Sequence, residues 1–282
     1  MAYILLFFTV VLLALQNILM KQYNVKTEKP NQLVFSAVAT FVALIFFLIS
    51  TKGKLEFNAQ FLPYSIGFGM AYAAALIGIN LAIAHGSLAI SSLVNSYSLL
   101  VPAAYGVFVL KESLSPIAYI GIACLAVSLF LINVKSEKVK FSVKWIAFLI
   151  MSFIGNGMCS TVQKMQQLRF DGAYKNEFML FALAIDVVIF AVFLLCTQKD
   201  LKYHLKKSVK YASLFGFTNG MANLLVMLLT AMLPSAVLYP SISGGNVVIM
   251  FFVSLFIYKE HLTKQQQLGY FIGVLSVVLL NL

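Results

Sequence analysis

Charge is what this sequence has least of. Only 10% of its 282 residues are charged, where a soluble domain carries about 25%. Hydrophobic residues make up 61% of the chain and the mean hydropathy is +0.94. One water-soluble core of this size cannot hide so much apolar surface, so the surplus must face lipid. Cysteine is nearly absent too. Cys124, Cys159 and Cys196 are isolated in or beside apolar runs, which excludes a disulfide framework and a zinc site. The sequence also lacks a P-loop, a Gly-x-Gly-x-x-Gly run, a His-Glu-x-x-His pair and any cluster of metal ligands, which excludes an ATP-driven pump and an intramembrane metalloprotease. No cofactor or metal is expected. The 20 Lys and Arg outnumber 9 Asp and Glu, but the bases lie between apolar runs and form no basic–aromatic stripe, so nucleic acid is excluded as a partner. The first residues, Met1-Ala2-Tyr3-Ile4-Leu5-Leu6, lack a charged leader and a small-residue cleavage site, and read as a retained first helix.

What is present is a series of long apolar runs. A helix needs about 20 mostly apolar residues to cross roughly 30 Å of hydrocarbon. Ten segments qualify: 2–20, 33–50, 61–84, 88–110, 116–134, 145–163, 178–195, 211–232, 235–257 and 268–282. Backbone at that depth has no water to bond, so helices are the expected element. The fold class predicted is an all-α membrane protein of ten transmembrane helices. Within the charged stretch 198–210 a short interfacial helix is expected at 201–207, and Trp145 reads as an aromatic anchor at the membrane surface.

The chain also matches itself. A shift of 148 positions places Lys111-Glu112-Ser113-Leu114-Ser115 on Lys259-Glu260-His261-Leu262-Thr263, Gly121 on Gly269, Ser128 on Ser276 and Asn133 on Asn281. Lys21 and Lys164 fit the same scheme with a small indel. This predicts two five-helix units, 1–134 and 145–282, divided at 134–144. Five is odd, so the second unit must enter the membrane inverted. Inverted repeats are a transporter architecture, with the solute site near the midplane where the repeats meet.

With these features the sequence resembles the drug/metabolite transporter superfamily, of the EamA-like kind. The resemblance rests on ten spans in two repeats and on the Lys-Glu-x-Leu-[Ser/Thr] turns at 111–115 and 259–263, followed by Gly121 and Gly269. The family's turn carries a glycine before the glutamate; lysine stands there in both halves of this chain. The resemblance implies a carrier of small metabolites or drugs, working as an exchanger or by proton coupling.

Several polar residues within the spans could serve such a role. Asp186 is the only acidic residue well inside a span. Insertion scales put the cost of a central Asp at about 2.5–3.5 kcal/mol, and its helical neighbours Ala182, Leu183, Ile189 and Phe190 cannot pair it. It reads either as a proton- or cation-binding carboxylate, the candidate for coupling, or as a hydrogen-bonded link between helices. The fourth span carries Asn95, Tyr97 and Ser98, and the ninth carries Tyr239, Ser243 and Asn246. Under the shift Asn95 meets Ser243 and Ser98 meets Asn246. The two blocks read as facing walls of one cavity, or as close packing through small residues. Asn156, and the pair Asn219 and Asn223 one turn apart on one face, complete the cavity candidates; Gln16, Asn17 and Ser160 are further polar residues in spans. Lys111 and Glu112 read as loop anchors at helix ends, and no Lys or Arg falls within a span.

The connections that follow odd-numbered spans hold 14 of the 20 Lys and Arg. The positive-inside rule places them in the cytoplasm and both termini outside; the resemblance implies the reverse. The leading expectation is a multi-pass transporter in the plasma (inner) membrane, a monomer or homodimer, moving a small polar metabolite or drug-like solute by alternating access. A membrane-embedded enzyme or a non-transporting lipid-linked-sugar flippase subunit is the alternative.

Overall fold

The computed structural model describes residues 1–85, 88–133, 142–198, 200–257 and 263–280. Outside them lie Gly86 and Ser87, most of the stretch read as the boundary between halves, Asn281 and the Lys259-Glu260-His261-Leu262 turn.

Among the described residues the fold is entirely helical. The helices are α1 (Ala2–Lys26), α2 (Gln32–Ser50), α3 (Leu62–His85), α4 (Leu88–Tyr97), α5 (Leu100–Phe108), α6 (Pro116–Asn133), α7 (Val143–Arg169), α8 (Lys175–Thr197), α9 (Leu201–Thr230), α10 (Ser235–Phe252) and α11 (Lys264–Leu280). A 3₁₀ turn at Ala59–Phe61 leads into α3, and a π-helical turn at Val253–Ile257 extends α10. Seven of these helical stretches are long and apolar enough to cross a membrane.

Three sequence expectations are corrected. The segment 88–110 is not one helix: it breaks at Ser98-Leu99 into α4 and α5. Pro102 causes the break, because it has no N–H and its ring clashes with the carbonyl four residues back, at Ser98. There is no separate helix at 201–207; α9 runs unbroken for 30 residues, about 45 Å, so its basic first turns project beyond a roughly 30 Å hydrocarbon layer. Trp145 is not a surface anchor either. It is fully buried and its Nε1 donates to Ser91 Oγ at 3.1 Å.

The bundle interlocks the two halves of the chain. α3 packs along α7, α6 along α11, and α1 and α2 along α9. The start of α1 (Leu6, Val10) packs with Leu229 and Leu238, while its end (Tyr23) packs with Ala212, so α1 and α9 are antiparallel. Asn31 Nδ2 donates to Gln198 Oε1 at 2.7 Å, placing the α1–α2 and α8–α9 connections at one end. The α9–α10 connection lies at the other.

In lipid no hydrophobic force draws helices together, so close approach of small residues matters more. At the α3–α7 seam this is literal. A Cβ on Gly155 would stand 2.7 Å from Ala71 O and Ala75 N, and one on Gly78 would stand 2.8 Å from Ser152 N. Gly155→Ala should therefore destabilise the protein by about 1–3 kcal/mol, seen as earlier thermal unfolding in detergent. Gly67→Ala, whose Cβ would meet only Val162 at 3.9 Å, should leave the transition unchanged or raise it.

Candidate solute-binding site

A cavity of about 360 Å³ lies at the centre of the bundle, walled by α1, α3, α4, α7, α9 and α10. Its size falls toward the lower end of the roughly 300–1,000 Å³ of small-molecule sites. Seven of the sequence candidates line it: Asn95, Asn156, Asn219, Asn223, Tyr239, Ser243 and Asn246. Gln16, Asn17 and Ser160 do so as well, joined by Tyr72 and Gln163, which sequence reasoning passed over.

The wall is held by its own hydrogen bonds. On α9, Asn223 Nδ2 donates to the Asn219 carbonyl and to its Oδ1 at 3.0 and 3.1 Å. Asn219 Oδ1 also accepts from Tyr72 OH at 3.4 Å, and Asn219 Nδ2 donates to Gln16 Oε1 at 3.4 Å. This ties α9 to α3 and α1 through one amide. Asn17 Nδ2 donates to Asn246 Oδ1 at 3.1 Å, joining α1 to α10, and Ser152 Oγ donates to Asn95 Oδ1 at 2.9 Å, joining α7 to α4. One donor is left over: Gln16 Nε2 is buried without a partner, although Gln16 lines the cavity. A buried donor without a partner is rare in a folded protein.

Three candidates fall outside the wall. Tyr97 turns toward α6, where its hydroxyl donates to Ala126 O at 2.6 Å. Ser98 is fully buried and accepts from Asn156 Nδ2 at 2.5 Å, so it holds a cavity residue from behind. Asp186 is also fully buried, and both carboxyl oxygens lack a hydrogen-bond partner. Thr40 of α2 lies beside it without closing a bond of normal geometry. Tyr72 and Cys159 link Asp186 to the cavity: each lines the cavity and lies within electrostatic range of the carboxyl.

The cavity is open on one side. Asn17 is exposed, whereas Gln163 and Tyr239 are buried. Beyond that buried end sits a feature opposed to the expectation that no lysine enters a span. α7 continues past residue 163, so Lys164 is buried inside the bundle, and its Nζ lies 3.4 Å from Glu112 Oε1. Lys164 Nζ donates to Thr230 O at 2.8 Å and Leu233 O at 3.4 Å, while Glu112 Oε2 accepts from Ala236 N at 3.2 Å. The cation thus meets the carbonyl end of α9 and the anion the amide end of α10, as the helix dipoles favour. Glu112 thus ties the α5–α6 connection to α7 and α10.

Seven helices long and apolar enough to span, packed around a polar cavity with no charged side chain among its described lining residues, are the build of an integral membrane protein. The chain belongs to the family of sugar transport proteins, whose profile matches residues 2–281. In fold it is similar to a crystal structure described only as that of a protein, at 12% identity and a TM-score of 0.68, covering 100% of this chain and 98% of that one. Among curated proteins no match was found.

Cysteines placed at Asn17, Ser243 and Asn246 should react with water-soluble maleimides in detergent. A cysteine at Ser98 should stay unreactive under the same conditions, as should one at Asp186.

Proposed function

We propose that this protein carries an uncharged sugar across the membrane. The observation behind this reading is the make-up of the wall: among the described residues no charged side chain lines it, and eight carboxamides do, among them Gln16, Asn17, Asn95 and Asn156. A sugar hydroxyl both donates and accepts, and a carboxamide offers both an acceptor oxygen and a two-proton donor. The orphaned Gln16 Nε2 is a ready donor to a hydroxyl oxygen. The rings of Phe68, Tyr72, Phe215 and Tyr239 also face the cavity and suit the C–H faces of a pyranose. A charged metabolite would find no counter-charge there, and desolvating it without one is costly.

Alternating access is the mechanism this reading implies. The two halves, 1–134 and 145–282, act as inverted repeats of the EamA-like type. Exchanged helix pairings support this: α3 with α7 in one half-pair and α9 with α1 in the other, while α6 and α11 pair with each other. The plasma (inner) membrane is its expected place.

Asp186 is the proposed coupling group. A carboxyl so deeply buried, with no cation beside it among the described residues, is costly to keep charged without a counter-ion, which suits it to bind and release a proton as its surroundings change. The groups facing it, Tyr72, Cys159 and Thr40, include no base that could take the charge. Movement of α3 or α7 on closing around the sugar would change what the carboxyl meets.

Two measurements in proteoliposomes test these readings. With a panel of neutral aldoses and matched sugar acids, uptake should favour the neutral sugars. Gln16→Leu and Asn219→Leu should raise KM about two- to tenfold, the worth of one lost hydrogen bond each; equal uptake of sugar acids would refute the reading. Asp186→Asn should leave the protein inserted and abolish the pH dependence of uptake. A wild-type pH profile in that variant would end the proton-coupling idea.

A further inference from the structure

The cavity's polar lining does not stop at the cavity. On α7, Asn156, Ser160, Gln163 and Gln167 follow the i, i+4, i+7, i+11 spacing of one helix face. The first three line the cavity. Gln163 and Gln167 continue the stripe toward the closed end, where both are buried. Gln163 Nε2 makes a 3.4 Å bond to Asn223 O. Gln167 Oε1 has no partner at all, and its Nε2 reaches only Gln166 and Met227 Sδ. Lys164 lies on the adjoining face, one turn beyond Ser160. A stripe of glutamines serves packing poorly: each buried amide has four bonds to fill, and apolar residues would pack the seam at no such cost.

We infer that this stripe is the path by which the sugar leaves the cavity on the closed side, and that the Lys164–Glu112 pair is the gate across it. The inference rests on the transport reading above. The pair joins five elements: α7 through Lys164, the α5–α6 connection through Glu112, the last turn of α9 through Thr230, the α9–α10 connection through Leu233, and the first turn of α10 through Ala236. Tyr239, one turn into α10, donates to Ser160 O at 2.8 Å and closes the same layer from the cavity side. While the pair holds, α7 cannot part from the α9–α10 corner. Once α7 moves away, the two ions separate into an opening lined by Gln163 and Gln167, whose amide groups, the unpartnered Gln167 Oε1 among them, are suited to take over the sugar's hydroxyls. The charges are segregated from the cavity itself, so they hold the gate shut without binding the solute.

The test reads the path without any sugar. In a variant with Cys124, Cys159 and Cys196 replaced by alanine, a cysteine is placed at Gln167, and a membrane-impermeant maleimide is applied to right-side-out and inverted vesicles. With the gate intact, labelling should be slow from both faces. Glu112→Gln should raise the rate about tenfold, and only from the face opposite the one that labels a cysteine at Asn17. Lys164→Met should do the same by removing the other partner, and Lys164→Arg should keep the site protected. The cysteine at Asn17 reports insertion, and a Glu112 variant lost from the membrane is replaced by the milder Glu112→Asp. Protection unchanged in both Glu112→Gln and Lys164→Met overturns the gate, as does labelling from the Asn17 face. Because labelling requires no solute, this result stands or falls separately from the sugar-uptake measurement.

Discussion

A polar group inside a bilayer has nowhere to send its hydrogen bonds except to another part of the protein or to a water-filled space. Both breaks between helices beside the cavity answer that constraint. Where α9 ends and α10 begins within the bundle, the carbonyls of Thr230 and Leu233 and the amide of Ala236 are met by Lys164 and Glu112. Where Pro102 stops α4 from running into α5, the Ser98 hydroxyl folds back onto Asn95 O at 2.5 Å and receives the Asn156 amide. Both discontinuities sit beside the cavity or its closed end. Broken helices are tolerated there because protein or water covers the freed groups, and they would not be tolerated facing lipid.

The same constraint explains which parts of the molecule were legible beforehand. Asn219 and Asn223 could be placed on one face because α9 is regular, and a spacing of four fixes direction along an unbroken helix. Asn95 and Ser98 could not be separated in this way. They lie three residues apart, but the break after Tyr97 turns Ser98 behind the wall that Asn95 lines. Asp186 was visible from cost alone; which neighbour it met depended on the packing of α2, α3 and α7 against α8, which no local pattern carries. Lys164 was missed for a different reason. A hydropathy window treats lysine as the end of a span, and so it cut α7 at 163 just where the helix passes into its most polar, most buried stretch. The only sequence sign was the run Gln163-Lys164-Met165-Gln166-Gln167 directly after an apolar segment, too polar for lipid and too uniform for a turn.

Packing and function share the same helices but not the same faces. α7 uses Gly155 and Gly157 to approach α3 and α5 closely, while its Asn156, Ser160 and Gln163 face the cavity. α9 likewise sets Gly216 and Gly220 against α2 and turns Asn219 and Asn223 inward. A glycine seam has no long side chains to unlock, so one helix can slide or tilt along another with little rearrangement of rotamers. The inward amides, by contrast, make specific bonds that differ from one arrangement to the next. A helix built in this way has a smooth back and a selective front.

That division also determines where charge can be used. On the proposed reading, a fixed charge in the cavity would bind its own counter-ion, which a neutral sugar would have to displace; the described wall is made of amides, hydroxyls, rings and apolar side chains. A fixed pair outside the cavity costs desolvation, but here each ion also satisfies a helix end that would otherwise be orphaned, and that offsets part of the cost. Breaking such a pair exposes two ions and three backbone groups at once. If the pair opens as proposed, it can part only when water enters to receive these groups, which would make closure of the dry state and wetting of the open one two sides of a single equilibrium.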